Sequence, residues 1–138
     1  MAFEYPPCTY RVSAKAAIVV GDRLVLVKED SDDWDLPGGG LEHHETLEVA
    51  VGREVEEEIG AKLDSVDASR MQAWPLYHEE ANRPLLFLVY PATISQDVQS
   101  GMNGKVEVGL FNEAELQTVP LVPYIEKFRQ QLINLAFS

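Results

Sequence analysis

Apolar positions along the chain change their spacing several times, and each change marks an expected element. Ala16-Ala17-Ile18-Val19-Val20 and Arg23-Leu24-Val25-Leu26-Val27-Lys28 are runs of strand length on either side of Gly21-Asp22, which predicts a hairpin closed by a tight turn. The second run alternates only in part. After the acidic stretch Glu29 to Asp33 come Trp34-Asp35-Leu36-Pro37 and then Gly38-Gly39-Gly40, a composition foreign to helix or strand interiors that predicts a shaped loop. From Leu47 to Ile59 the spacing turns helical, with Thr46 or Glu45 at the start and Gly60 as the stop. Lys62 to Met71 and Pro84 to Thr93 read as strands, with Tyr77 to Arg83 a polar connection between them. Val106 to Val108 reads as a short strand, and Phe111 to Leu116 as a helical turn opened by Asn112. Tyr124 to Leu135 reads as an amphipathic helix carried by Ile125, Phe128, Leu132 and Leu135. Strands and helices mixed in this order predict an α/β or α+β domain in which helices cover a sheet. Ala2 to Thr9, with Pro6-Pro7, reads as an irregular lead-in.

Composition fits that picture. The 138 residues, 46% apolar and 25% charged, suit a single domain over residues 1–138 with an ordinary core, so a metal here is expected to serve chemistry and not folding. The formal charge of −12 has the wrong sign for duplex DNA or an anionic membrane surface. An anionic substrate would be repelled unless carboxylates gather divalent cations and invert the local field. Cys8 is the only cysteine, so no intrachain disulfide can form, and Met1-Ala2-Phe3-Glu4 lacks the basic and apolar regions of a secretory leader. A cytoplasmic location is therefore expected. The longest apolar runs, Ala14 to Val20 (interrupted by Lys15) and Leu85 to Ala92, are far shorter than the roughly 20 residues of a membrane span.

The expected helix is unusually acidic where it should be most buried. Glu54, Glu56, Glu57 and Glu58 crowd its last turns, and like charges three or four apart cost a few tenths of a kcal/mol per pair. A solvated face would explain an ordinary acidic helix. Here, at about 100° per residue and with Leu47 at zero, the apolar stripe Leu47, Val51, Val55 and Ile59 spans roughly 0° to 120°. Glu58 then falls near 20°, Glu54 near 340° and Glu57 near 280°, while Glu56 lies opposite the stripe at about 180°. Glu54, Glu57 and Glu58 are expected to converge, with Glu56 alone facing solvent. Carboxylates at i, i+3 and i+4 offer oxygen to hard cations such as Mg²⁺ or Mn²⁺, which keep waters and bridge to phosphates.

The spacing is more specific still. Gly39, five residues, Glu45, seven residues, Arg53-Glu54-Val55, one residue, Glu57-Glu58, one residue and Gly60 resembles the Nudix box of the Nudix (MutT-like) hydrolases. Every fixed polar or glycine position of that signature is matched over residues 39–61, and only Ala61 is smaller than the bulky aliphatic residue that usually closes it. Leu36-Pro37-Gly38 is similar to the family's usual approach to the box, and Phe111-Asn112-Glu113-Ala114-Glu115-Leu116 to an aromatic-x-x-x-Glu-Leu segment of many members. Gly52 is an oddity, because a mid-helix glycine costs about 1 kcal/mol relative to alanine; either close packing or drift would account for it.

The resemblance implies an αβα sandwich with a mixed sheet between helices, and a metal-dependent pyrophosphohydrolase. Its substrate would be a nucleoside diphosphate linked to another group, most simply a (d)NTP or modified nucleotide. Carried onto this chain, Glu54, Glu57 and Glu58 would hold Mg²⁺ or Mn²⁺ with the Gly38 carbonyl, and a box glutamate or a later carboxylate would take the proton. Arg53 and Glu45 would orient those carboxylates. Glu107, Glu79 and Glu80 are further candidates for ligand or base, Glu107 being placed as in relatives with a late acidic ligand. Trp74, Tyr77 and Phe87 are candidates to stack on a base, although aromatics on strands are usually core. Homodimers are common in the family. Gln72-Ala73-Trp74-Pro75 only partly matches a motif of NADH pyrophosphatases, so an ADP-ribose or NADH-type dinucleotide enzyme stays as an alternative, beside a Nudix module that senses a nucleotide without cutting it. Zinc on His43, His44 and His78 is not expected, because the adjacent His43 and His44 point apart and no cysteine accompanies them; nor is a Ca²⁺ loop, since Asp30-Ser31-Asp32-Asp33 lacks the required glycine and closing glutamate.

Overall fold

In the computed structural model, which describes residues 8–99 and 105–138, a mixed sheet carries helices on both faces. Its strands are β1 (Arg11–Val20), β2 (Arg23–Lys28), β3 (Gly38–Gly40), β4 (Leu63–Val66), β5 (Gln72–His78), β6 (Arg83–Ile94) and β7 (Glu107–Asn112). The helices are α1 (Leu47–Ile59), α2 (Glu113–Leu116), α3 (Pro123–Glu126) and α4 (Arg129–Phe137). The main path through the sheet is β4-β6-β1-β2-β7, with β3 paired to β1 and β5 to β6. Among the described strands only β1 and β6 run parallel to each other. The helix-covered mixed sheet agrees with the fold class expected from the sequence.

Two apolar layers explain why β1 and β2 alternate so weakly. Ala14, Ala16 and Ile18 of β1 with Val25 and Val27 of β2 pack against Ala50, Val51, Val55 and Ile59 of α1. Ala17, Leu24 and Leu26 face the other way, toward Ile125, Leu132 and Leu135 of α3 and α4. A strand covered on both faces has no solvent side to mark with polar residues.

The hairpin forms as expected, and β1 extends five residues further back than the apolar run. Five other elements differ from expectation, the first being Gly38–Gly40, expected as a shaped loop and found as strand β3 paired with Ser13 to Lys15, where side chains would collide with Ala14, Glu54 and Arg11. The strand expected over 62–71 is short, ending at Val66 before a 3₁₀ turn at Ala68–Arg70. Residues 72–78, whose first part had no assignment and whose last two were placed in a connection, form β5, with Trp74 and Leu76 buried and Ala73, Pro75 and Tyr77 exposed. The strand near 106–108 begins at Glu107 and continues to Asn112. The C-terminal helix is broken into α3 and α4 at Lys127-Phe128, with Phe128 stacked on Trp74 at 5.1 Å. Most of the expected lead-in lies outside the described residues.

The site is positioned by a seam in the sheet. On one side of β1, Ser13 to Lys15 pair with β3, whereas the registered pairs with β2 are Val19 and Val20. Between them the 34–37 segment is stitched in by Ala16 N donating to the Pro37 carbonyl at 2.9 Å and by an exchange of hydrogen bonds between Val27 and Asp35. Lys15 stands at that seam, directly opposite Gly38.

Candidate active site

Helix α1 starts and stops where its sequence dictates. Thr46 accepts a hydrogen bond from Val49 N at 3.2 Å, and Gly60 ends the helix in the left-handed conformation at φ 67°, donating to the Glu56 carbonyl. This fixes the rotation of the helix and hence the direction of each carboxylate. Glu58, at the edge of the apolar stripe, accepts a 2.7 Å hydrogen bond from Gly38 N and so joins α1 to β3. Glu56 is exposed, as its place opposite the stripe requires.

Arg53 gathers the remaining acids. Its guanidinium meets both oxygens of Glu45, at 2.9 and 3.0 Å, in the forked geometry that binds carboxylates best. The same group donates to Glu54 at 3.0 Å and stands 3.8 Å from Glu57 and from Glu42. The Arg53 hydrogen bond holds the Glu45 carboxyl below its ordinary pKa. Glu54 rests against Gly39, where an added Cβ would lie 2.6 Å from the carboxyl carbon. At Gly38 the backbone takes φ +131° and a Cβ would strike the Ala14 carbonyl at 2.2 Å, so β3 tolerates no side chain there.

A family model described as NUDIX domain matches residues 9–132. The chain belongs to the Nudix family. It is 42% identical over 60 residues to a MutT-like protein of Streptomyces ambofaciens, a match that spans 42% of this chain and only 39% of that relative. A solved MutT NUDIX hydrolase from Burkholderia pseudomallei is 26% identical with a TM-score of 0.76, covering 92% of this chain and 98% of its own. An ADP-ribose pyrophosphatase from Streptococcus suis shares the fold at 21% identity and a TM-score of 0.67, with 94% of each chain covered. A UDP-X diphosphatase does so at 21% identity and a TM-score of 0.72, covering 96% of this chain and 65% of its own.

The Nudix carboxylates do not converge into one cluster. Among the described residues no three His, Cys, Asp or Glu side chains are gathered closely enough to hold an ion. Glu54 and Glu57 are drawn toward Arg53, while Glu58 is bonded to Gly38. The donor chemistry nevertheless fits a hard divalent cation. Burial, with the negative charges of Glu54 and Asp35 adding to it, pushes Glu58 up to about 7, although Lys15 and the Gly38 N–H oppose the shift. A shielded carboxylate short of positive charge, beside carbonyl and carboxylate oxygens, is what such a cation would relieve.

Three candidates from the sequence lie elsewhere. Trp74 is 2% exposed, donates to Gln72 and stacks on Phe128, so it is core. Phe87, 3% exposed, sits beneath Lys15 and edge-on to Tyr124, with no face for a ligand. Glu107 is exposed and paired with Lys28 at 3.2 Å, its cross-strand partner. The Phe111–Leu116 segment is accounted for by capping, since Asn112 and Glu115 exchange hydrogen bonds at 2.8 and 3.0 Å. Tyr77 does line a cleft, together with Glu79 and Glu80.

That cleft, of 620 Å³, opens beside Glu58 and Gly38 and contains Lys15, Asp35 and Tyr124, which sequence reasoning missed, together with His78, which it had set aside as a zinc ligand. The buried Lys15 ammonium is shared among the Leu36 carbonyl at 3.2 Å, the Gly38 carbonyl at 3.2 Å and Asp35 at 3.4 Å. Asp35 also accepts from the Tyr124 hydroxyl at 3.1 Å. Burial, then the Asp35 charge, holds that hydroxyl above the usual phenol range. Tyr124 in turn stacks on His78 at 5.0 Å. A single lysine inside an otherwise apolar run was the available signal for this network.

Proposed function

We propose that this Nudix protein is a pyrophosphohydrolase that uses Mg²⁺ or Mn²⁺ to open a phosphoanhydride bond in a nucleoside diphosphate-linked substrate, a (d)NTP or modified nucleotide first among them. The observation that carries the reading is the complete box with its internal wiring: Glu45 clamps Arg53, and Arg53 holds Glu54 while standing beside Glu57. A pairing of that kind keeps carboxylates oriented. The names of the relatives point to several substrates, which supports the reaction class and leaves the leaving group to experiment.

Glu54, Glu57, Glu58 and the Gly38 carbonyl are the groups that would hold the cation. Bound there, it would neutralise phosphate charge and lower the pKa of the attacking water. The chain's own residues supply the rest. Arg53 and Glu45 fix the carboxylates, and Lys15 fixes the Gly38 carbonyl. Water oxygen attacks one phosphorus, the anhydride P–O bond breaks with its electron pair on the departing phosphate, and a box carboxylate accepts the water's proton.

Phosphate and pyrophosphate release, with product masses, from dNTPs, 8-oxo-dGTP, ADP-ribose, NADH and diadenosine polyphosphates tests the reading. Turnover is expected with either cation, and Glu57→Gln is expected to lower it about 10²-fold or more. A protein that binds a nucleotide at micromolar concentration yet cuts nothing on the panel is a sensor, and the enzyme reading is then wrong.

A further inference from the structure

The cleft beside Glu58 has one wall suited to a flat ring and few groups suited to a phosphate. His78 and Tyr124 stack at 5.0 Å with 29° between their planes, and both rings are held in place. Tyr124 is fixed by Asp35 and lies edge-on to Phe87 at 5.9 Å, while His78 Nδ1 accepts from Ala81 N at 3.1 Å. A fixed aromatic pair that lines an open cleft is a platform for base stacking. The volume of 620 Å³ is ample for a nucleoside.

The polar lining is biased toward acceptors. Lys15 is the only lysine or arginine among the lining residues, and three acceptors share its ammonium. Glu29, Asp33, Glu79 and Glu80 also line the cleft, and their side chains make no hydrogen bond or ion pair among the described residues. Ionised carboxylates accept and never donate. Polyphosphate is repelled by such a wall, whereas a neutral ring that presents an amino group toward it is held.

We propose that this cleft seats the nucleobase on the His78–Tyr124 pair and selects bases with an exocyclic amino group, cytosine over uracil and adenine over hypoxanthine. The inference rests on the nucleotide reading above and adds a substrate preference to it. Uracil and hypoxanthine place a carbonyl oxygen where cytosine and adenine carry the amino group, so oxygen would face oxygen.

The test compares kcat/KM for CTP with UTP and for ATP with ITP, since in each pair an amino group is replaced by oxygen. The amino member is expected to win by about tenfold or more. The triple variant Asp33→Asn, Glu79→Gln, Glu80→Gln is expected to bring each ratio within about threefold, and His78→Ala to raise KM for all four about tenfold with kcat little changed. Thermal melts verify that the variants fold. Ratios near one in the wild type, a preference for the carbonyl member, a preference that survives the triple variant, or an unchanged KM in His78→Ala each overturns the proposal. If no triphosphate is cut, calorimetric titration with CMP, UMP, AMP and IMP separates the two ideas. Tighter binding of CMP and AMP upholds the base site while the hydrolase reading fails, and equal or absent binding rejects the base site as well.

Discussion

The glycines at the mouth of the site look interchangeable in the sequence and are not. Gly38 is fixed by backbone, with φ +131° and the Ala14 carbonyl 2.2 Å from any added Cβ. Gly38→Ala is therefore expected to lose about 2 kcal/mol or more of stability, from dihedral strain and overpacking together. Gly39 is constrained by a side chain instead, because an added Cβ would meet the carboxylate end of Glu54, a proposed metal ligand. Gly39→Ala should keep stability within about 1 kcal/mol and lower turnover about 10²-fold by displacing that carboxylate. Denaturant melts and pyrophosphate release on both variants check this, and a Gly39→Ala enzyme with full activity would sever Glu54 from the reaction. Spacing alone could locate the box, since its fixed residues stand at set intervals along the chain from Gly39 to Gly60. It could not locate Lys15, whose partners are two backbone carbonyls and a carboxylate 20 to 23 residues away. Nor could it tell Tyr77, at the cleft, from the core residues Trp74 and Phe87, because an aromatic's exposure depends on what packs over it.

At the level of elements, legibility followed how much local information each one carries. Helix α1 was readable to the residue because its cap, stop and apolar stripe agree. The break between α3 and α4 was hidden, since Ile125, Leu132 and Leu135 keep facing the same core layer on both sides of it. Strand β5 was obscured by Pro75, which is tolerable because, among the described residues, β5 pairs on one side only, with β6. Gly52 also resolves here. A Cβ at that position meets nothing within 4 Å, so close packing does not account for this glycine. Gly52→Ala is expected to stabilise the protein by about 0.5–1 kcal/mol through helix propensity and a less flexible unfolded chain. Thermal unfolding should show a midpoint a few degrees higher with catalytic constants unchanged; a lower midpoint would mean that the glycine has a structural task.

Across the whole molecule, the charge of −12 and the shielded carboxylate Glu58 lead us to expect a stability that depends on pH and, through the proposed metal site, on cations. Glu58 is raised from 4.5 to about 7 in the folded, metal-free chain. Between those values the folded state keeps a proton that the unfolded state has released, so this contribution is full below pH 4.5, declines as pH rises, and is lost above about 7. Glu45 acts in the opposite sense, since its lowered pKa gives stability above the ordinary carboxylate range that disappears in acid. The metal-free protein is therefore expected to be most stable near pH 5 and to weaken toward pH 7.5. General repulsion among the acidic residues adds to that slope, and Glu58→Gln isolates the local part: the variant should show a flatter profile between pH 5 and 7.5. A cation at the proposed site would bind the ionised form, so the stabilisation that Mn²⁺ gives is expected to grow over the same interval in the wild type and shrink in the variant. Melting curves at fixed ionic strength, with and without Mn²⁺, read both effects. A metal-free wild type that gains stability from pH 5 to 7.5, or a variant with an unaltered slope, would mean that Glu58 is not the group storing the strain that a cation relieves.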